Sequence, residues 1–297
     1  MRTKYGFAAM AVIAAVALSG CVDNSTPDTA PEDKVDVTID DAAAALLPAD
    51  IADAGVIVAG IDLAYAPNEY KAEDGSPEGW SIDLADAMAA KLGVTMDYRA
   101  SSFDKIIPSV TGGTYDIGYS SFTDTVEREK SVDFVNYYNA GIQWAQPIGG
   151  NVDPAHACGL TVAVQATTYE ETDELPAKSE ECVANGDEPI NILKFESQDE
   201  ATAALTLGRA DAMSADSPIT LYAVSQVRDQ IEVAGEAFDI APYGIAIAKD
   251  ATDLGTALQA ALQSLIDDGS YATILDNWGV SSGGIETITI NAASSGS

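Results

Sequence analysis

Positive charge is scarce in this sequence, and so are histidine and cysteine. The 297 residues contain 14 Lys and Arg against 47 Asp and Glu, a formal net charge of −33. A chain this acidic repels phosphate backbones and anionic headgroups, which argues against a nucleic-acid partner. One histidine, His156, and three cysteines leave little material for a metal site or a histidine-dependent triad. No metal ion or cofactor is expected.

Long apolar runs are absent beyond the N-terminus. Arg2 and Lys4 precede an apolar stretch at residues 7–18, which is shorter than the roughly 20 residues that span a bilayer. This pattern predicts a secretory signal peptide. The sequence LSGC at residues 18–21 resembles the lipobox of bacterial lipoproteins, which implies cleavage before Cys21 and acylation of that residue, as with palmitate. The alternative is an ordinary secretory signal with an incidental cysteine.

The other two cysteines are Cys158 and Cys182. In an oxidising compartment such a pair favours a disulfide, which would stabilise the fold by about 3 kcal/mol on the loop-entropy model. Two free thiols are the alternative.

The rest of the chain alternates apolar strands with amphipathic helices. An apolar composition of 47% is too high for a disordered chain and allows two modest domains. Strands are predicted at residues 56–61, 94–98, 115–119, 161–164 and 212–215, and helices at 82–92, 103–112, 199–207 and 251–268. This alternation predicts an α/β protein with mainly parallel strands.

Five motifs extend this interpretation. They are GIDLAYAPNEY (60–70), GWSIDLADAMAAKLGV (79–94), FDKIIPSVTGGTYDIGYSSFTDTVEREKSVDFVNYYNAG (103–141), GRADAMSADSP (208–218) and the stretch 243–280 that ends in ILDNWGV. In this order they closely resemble the family 3 solute-binding proteins, the receptors of polar amino-acid ABC importers. The resemblance covers roughly residues 55–280. It implies a type II periplasmic-binding-protein fold, with two parallel-rich sheets joined by a two-strand hinge, that binds its ligand without catalysis.

The resemblance also implies a domain organisation and partners. The expected segments are a lipoprotein signal peptide (1–20), a lipid-anchored acidic linker with a short N-terminal segment (21–54), the first part of lobe 1 (55–139), the hinge strands with lobe 2 (140–243), the second part of lobe 1 (244–280) and a C-terminal tail (281–297). The protein is expected to be a monomer on the outer face of the cytoplasmic membrane. Its partners would be an amino acid ligand and ABC permease subunits.

Arg128 and Asp216 carry most of the functional argument. A guanidinium can donate two parallel hydrogen bonds to a carboxylate, and the resemblance assigns Arg128 to the α-carboxylate of the ligand. It assigns Asp216 to the α-ammonium group. From the residues alone, Arg128 could instead pair with Glu127 or Glu129 on the surface, and Asp216 could simply be a helix N-cap.

Three further residues match ligand-contacting positions of the family. Ser121 and Thr123 precede Arg128, although serine and threonine also suit ordinary turns. Thr168 lies in a strand-to-helix turn and could serve only as an N-cap. Thr167 stands where the family usually has glycine, so the geometry of this turn is an open point.

The resemblance assigns a second group of residues to the pocket for the ligand side chain: Asp62, Tyr65, Glu69, Trp80, Phe103 and Gln165. Because this group adds negative charge, it favours a neutral polar or basic amino acid. Trp80 and Phe103 could equally be core residues.

Two other functions remain open. An enzyme of the same fold, of the dehydratase or lytic transglycosylase type, could use Glu69 or Asp62 as a general acid. A surface-anchored interaction domain with a vestigial cleft is the third possibility.

Overall fold

A computed structural model describes residues 35–295, and its α/β architecture confirms the predicted fold class. The predicted signal peptide and the lipidation of Cys21 lie outside the described residues. The strands are Val56–Ile61 (β1), Ala64–Tyr65 (β2), Glu69–Lys71 (β3), Pro77–Glu78 (β4), Thr95–Ala100 (β5), Ile117–Thr123 (β6), Val132–Pro147 (β7), Thr161–Gln165 (β8), Asn191–Phe195 (β9), Ala212–Asp216 (β10), Ile231–Ala248 (β11) and Thr289–Ile290 (β12).

The helices cover both faces of the main sheet. They are Asp41–Ala44 (α1), Ala49–Ala54 (α2), Trp80–Lys91 (α3), Phe103–Thr111 (α4), Leu175–Asn185 (α5), Gln198–Thr206 (α6), Ser217–Gln226 (α7), Thr252–Asp267 (α8), Ser270–Asn277 (α9) and Ala292–Ser295 (α10). A 3₁₀ turn at Arg128–Lys130 and a π-helical turn at Glu170–Glu174 interrupt the loops. Within residues 35–295, no helix combines the length and the apolar character needed to cross a membrane.

The main sheet has the strand order β5-β1-β6-β11-β7-β10-β8-β9, and β12 also pairs with β7. Strands β5, β1 and β6 are parallel and belong to lobe 1. Strands β10, β8 and β9 are parallel and belong to lobe 2. The antiparallel strands β7 and β11 lie between these two sets and join them into one continuous sheet.

Strands β7 and β11 form the connection between the lobes. At one end of the ladder Ile231 pairs with Pro147, and at the other end Ala248 pairs with Val132. The register shifts between Ala234 and Ala241, where the strands pass from one lobe to the other. Such irregularities bend strands and loosen the ladder locally. This segment is therefore suited to act as a hinge.

Each lobe has its own hydrophobic core. In lobe 1, α3 and α8 bury aliphatic side chains against β1 and β6, among them Leu84, Met88 and Leu262. Lobe 2 packs α5 and α6 against its parallel strands. Tyr65 of lobe 1 belongs to a lobe 2 cluster, so it crosses the boundary between the lobes.

Residues before position 55 also pack against lobe 1. Val35 and Val37 pack against the core of lobe 1. Asp40 caps α1, since its Oδ1 accepts hydrogen bonds from the backbone N–H groups of Ala42 and Ala43. The part of the predicted linker from Val35 onward is thus packed structure.

The predicted disulfide between Cys158 and Cys182 is confirmed, with a Cα–Cα distance of 5.5 Å. It ties the segment before β8 to α5 within the core of lobe 2.

Candidate functional site

Four strands from the two lobes end at one cavity. In open α/β sheets, ligands bind at the carboxyl ends of the strands, because loops and helix N-termini converge there. Asp62 follows β1, Thr123 ends β6, Gln165 ends β8 and Asp216 ends β10. The cavity is lined by Asp62, Tyr65, Phe103, Ser120, Ser121, Thr123, Arg128, Gln165, Thr168, Tyr169, Glu170 and Asp216.

The lobes are closed over this cavity. Its volume is only about 10 Å³, which is room for roughly one water molecule. An amino acid is many times larger, so entry of such a ligand requires the lobes to separate.

Arg128 reaches across the gap between the lobes. Its Nη1 donates to the carbonyl oxygen of Thr123 at 2.7 Å, and its Nη2 donates to the carbonyl oxygen of Thr167 in lobe 2 at 2.9 Å. Burial lowers the pKa of the guanidinium from its usual value, and the charges of Glu170 and Asp216 oppose that shift. Among the described ion pairs, Arg128 pairs with neither Glu127 nor Glu129, and Glu127 pairs with Lys130 instead.

An aromatic pair lies beneath the guanidinium. The rings of Phe103 and Phe122 are stacked with centroids 4.6 Å apart. The Cζ atom of Arg128 lies 5.7 Å from the centroid of Phe103 and 5.9 Å from that of Phe122. These distances allow cation–π attraction. The aromatic pair therefore helps to hold the guanidinium at the cavity wall.

Asp216 is the N-cap residue of α7, but its side chain makes no capping hydrogen bond. Its Oδ2 instead accepts a hydrogen bond of 2.5 Å from the Tyr65 hydroxyl group of lobe 1. Burial raises its pKa well above the ordinary value, and the charge of Glu170 raises it further. The alternative of a simple N-cap is thus wrong for the side chain, which points into the cleft.

Asp62 and Gln165 form a second contact between the lobes. Gln165 Nε2 donates to Asp62 Oδ2 at 2.7 Å. Burial raises the pKa of Asp62 to about 6, and the hydrogen bond from Gln165 opposes the rise. An acceptor so held at the cavity wall can receive a cation from a ligand.

The turn after β8 has a strained backbone. Thr167, which stands where the family usually has glycine, adopts a left-handed φ of 65°. Its N–H group donates to Glu171 Oε2 at 2.9 Å, which holds the turn in place. Thr168 Oγ1 donates to the Gln165 carbonyl oxygen at 2.9 Å. The turn thus keeps a glycine-like conformation without glycine.

Ser121 is also strained, with a φ of 48°. Its hydroxyl group donates to Glu69 Oε2 at 3.0 Å and accepts from Asn68 Nδ2 at 2.9 Å. Non-glycine residues rarely adopt this conformation, and such strain often marks binding sites.

Glu69 and Trp80, which the resemblance assigns to the pocket for the ligand side chain, do not line this closed cavity. Both are fully buried behind it. Trp80 Nε1 donates to Asn68 Oδ1 at 2.6 Å, and its ring packs in the core against Tyr138. Gly79 permits this arrangement, because a Cβ there would meet the Asn68 carbonyl oxygen at 2.0 Å. The alternative of core packing is thus correct for Trp80, whereas Phe103 lines the cavity.

Three lining residues were missed: Ser120, Tyr169 and Glu170. Each is adjacent to a predicted site residue or turn. Glu170 is 2% exposed, and its Oε1 has no hydrogen-bond partner within the described structure. Burial raises its pKa, and the charge of Arg128 partly opposes that rise. A buried, unpaired carboxylate oxygen at a turn facing Arg128 needs a cationic partner.

Comparison with known proteins identifies relatives of this chain. The model of the bacterial extracellular solute-binding proteins, family 3, matches residues 57–281. The arginine-binding protein ArgT of Corynebacterium glutamicum is 44% identical over 249 residues, covering 83% of this chain and 82% of the relative. The ABC transporter glutamine-binding protein GlnH of Bacillus subtilis is 29% identical, covering 69% of this chain and 73% of the relative.

Among solved structures, an ancestral arginine-binding protein bound to arginine superposes with a TM-score of 0.70. It is 31% identical and covers 75% of this chain and 98% of its own. The chain therefore belongs to the bacterial extracellular solute-binding proteins of family 3.

Proposed function

Since the chain is a family 3 extracellular solute-binding protein, we propose that it binds L-arginine or a closely related basic amino acid for an ABC importer. One observation carries this choice. The cavity is lined by three carboxyl groups, on Asp62, Glu170 and Asp216, and by one guanidinium, on Arg128. When all are ionised, the formal charge is −3 + 1 = −2, and a ligand with net charge +1 reduces it.

The α-amino acid group is held by the two lobes together. Arg128 of lobe 1 donates to the α-carboxylate, replacing its present contact with the Thr167 carbonyl oxygen of lobe 2. Asp216 accepts from the α-ammonium group, with Tyr65 orienting its carboxylate. Because the contacts come from opposite sides of the cleft, a bound ligand stabilises the closed state through differential contacts. Thr123, Ser121 and Thr168 complete this end of the site.

The ligand side chain lies toward Asp62. Its guanidinium would displace Gln165 from Asp62 Oδ2 and would neutralise a buried carboxylate. A planar cation also suits the face of Phe103, which already lies beneath a guanidinium. A neutral side chain such as that of glutamine would leave Asp62 without this compensation. The charge of the site therefore favours arginine over glutamine.

The anchoring and partner roles follow from the same function. Acylated Cys21 would tether the protein to the outer face of the cytoplasmic membrane, and the permease would receive the ligand from the opened cleft. Two acyl chains hold a protein stably at a membrane. The protein acts as a binding protein rather than an enzyme, so the ligand leaves unchanged.

Ligand binding can be tested on residues 22–297 after unfolding and refolding to remove co-purified ligand. L-Arginine at 100 times its dissociation constant should stabilise the fold by about 2.7 kcal/mol and raise the melting temperature. Titration calorimetry should give one site, with weaker binding of L-glutamine. Chromatography of the recovered ligand should find it unchanged, whereas a product would indicate the enzyme of the same fold.

Arg128→Ala is expected to abolish arginine binding. Arg99→Ala is the matched control, because Arg99 is exposed and pairs only with Asp97 among the described ion pairs. If wild-type protein gives no thermal shift with arginine or any other basic amino acid, the proposed ligand class is wrong.

A further inference from the structure

The C-terminal tail contacts the loop that carries Arg128. Strand β12 pairs with β7, where Thr289 faces Asn136 and Ile290 faces Val135. Asn291 extends this ladder, since its N–H group donates to the Phe134 carbonyl oxygen at 2.9 Å. The family model ends at residue 281. The tail is therefore an addition to the matched part of the chain.

Beyond β12, successive backbone N–H groups of the tail point at polar side chains. The N–H group of Ala292 donates to Asn136 Oδ1 at 3.1 Å, and that of Ala293 donates to Asp124 Oδ2 at 3.4 Å. Asn136 Nδ2 donates to the same Asp124 oxygen at 2.9 Å. The N–H group of Ser294 donates to Glu129 Oε1 at 3.1 Å.

The two carboxylates that receive these hydrogen bonds flank the ligand-binding part of the loop. Asp124 directly follows Thr123, whose carbonyl oxygen accepts from the Arg128 guanidinium. Glu129 directly follows Arg128 itself. Asp124 is 3% exposed and Glu129 is 7% exposed, so neither can rely on water for its hydrogen bonds. The contacts with the tail thus restrain the loop at both ends of its functional segment.

We propose that residues 292–294 hold the Arg128 loop, residues 124–131, in its ligand-binding geometry, so that the tail is a positioning element of the binding site. Without these contacts, Glu129 loses the Ser294 N–H donor, and Asp124 loses the Ala293 N–H donor but keeps Asn136 Nδ2. The loop is then less restrained at both ends. Ordering the loop again would then oppose ligand binding. This inference rests on the proposed function for its binding measurement.

The main variant ends the chain after Asn291, which keeps β12 and the buried Ile288. We expect its dissociation constant for L-arginine to rise about tenfold, the equivalent of about 1.4 kcal/mol in binding free energy. The matched control is Gln263→Ala. Among the described hydrogen bonds, those between the Gln263 side chain and the tail go to the backbone of Glu286 and Ile288, before β12. This control should lower the melting temperature but change the dissociation constant less than twofold.

A double-mutant cycle separates positioning from general destabilisation. Glu129→Gln weakens the acceptor on the loop and should itself raise the dissociation constant. Combined with the truncation, it should add little, because both changes affect the same contact. Fully additive effects, or arginine binding by the truncated protein within twofold of wild type, would overturn the proposal.

Hydrogen exchange tests the tail without any ligand. Backbone amides of residues 124–131 should exchange at least several-fold faster in the truncated protein than in wild type or in Gln263→Ala. If wild type binds neither arginine nor any other basic amino acid, the proposed function is wrong, but this measurement still decides the role of the tail. An unchanged exchange rate of the amides of residues 124–131 in the truncated protein would refute the proposed role of the tail.

Discussion

Glu69 should make the protein less stable as the pH rises. Its side chain is fully buried, and its Oε2 accepts hydrogen bonds from Ser81 Oγ at 2.6 Å and Ser121 Oγ at 3.0 Å. Its Oε1 has no partner within the described structure. Burial raises its pKa from 4.5 to about 8, and the two serine hydrogen bonds oppose that rise.

The sign of the effect follows from proton linkage. Between pH 4.5 and pH 8, the folded state holds a proton on Glu69 that the unfolded state releases. Stability therefore falls as the pH rises through this window, by about 1.4 kcal/mol per pH unit. Glu69→Gln has no such proton, and its amide oxygen can accept from the same two serines. From pH 5.0 to pH 7.5, the variant should gain about 3 kcal/mol in unfolding free energy relative to wild type.

Urea unfolding of ligand-free protein at pH 5.0, 6.25 and 7.5 measures this difference. The amide of Glu69→Gln can lower the unfolding free energy by an amount that does not depend on pH. Because the differences are compared between pH values, this amount cancels. Glu73→Gln is the matched control, because it changes an exposed carboxylate of the same hairpin and should leave the slope of wild type in place. A difference between Glu69→Gln and wild type that stays constant with pH would refute the reasoning.

Three other changes have defined outcomes. Thr167→Gly should raise the unfolding free energy by about 1 kcal/mol, because relief of the left-handed φ exceeds the added chain entropy; a lower midpoint in urea would contradict this. Replacing both Cys158 and Cys182 by alanine should lower the unfolding free energy by about 3 kcal/mol, and a loss below 1 kcal/mol would argue against chain entropy as the cause. The dissociation constant for arginine should rise about tenfold from pH 7.5 to pH 5.0, since protonation of Asp62, with its pKa raised to about 6, removes the charge that attracts the ligand cation. Calorimetry should find this rise smaller in Asp62→Asn, and an equal rise in both proteins would assign the effect to another group.

Local pattern was sufficient for most of the secondary structure. The predicted strand at residues 56–61 coincides with β1, and the predicted helix at 251–268 differs from α8 by one residue at each end. Buried parallel strands are continuous apolar runs, and the stripe of α8 repeats with the period of a helix. Strand β6 was predicted to end at Tyr119 but continues to Thr123. Its last residues include two serines, which in the sequence suggest a turn. In the structure they stay in the strand, because their hydroxyl groups bond other buried polar groups.

Sequence alone determined the composition of the cleft more than its arrangement. The resemblance pointed to Arg128, in a 3₁₀ turn after β6, and to Asp216, at the end of β10, and both line the cavity. The motifs could not show that Glu69 and Trp80 are buried rather than exposed to the cavity. Residues that line a cavity and residues that pack beneath them can be neighbours in the same motif. The motifs also missed Glu170, whose importance depends on burial opposite an arginine 42 positions earlier in the chain.

Tertiary structure decided the features that depend on distant segments. The sequence of the tail did not predict its role. The tail acts through backbone N–H groups, which nearly every residue has, and their hydrogen bonds to Asp124 and Glu129 depend on the fold. The single continuous sheet likewise required β7 and β11 to pair along their length. Periodicity and motifs report what a segment can form locally, whereas burial, pKa and hydrogen-bond partners depend on which segments the fold brings together.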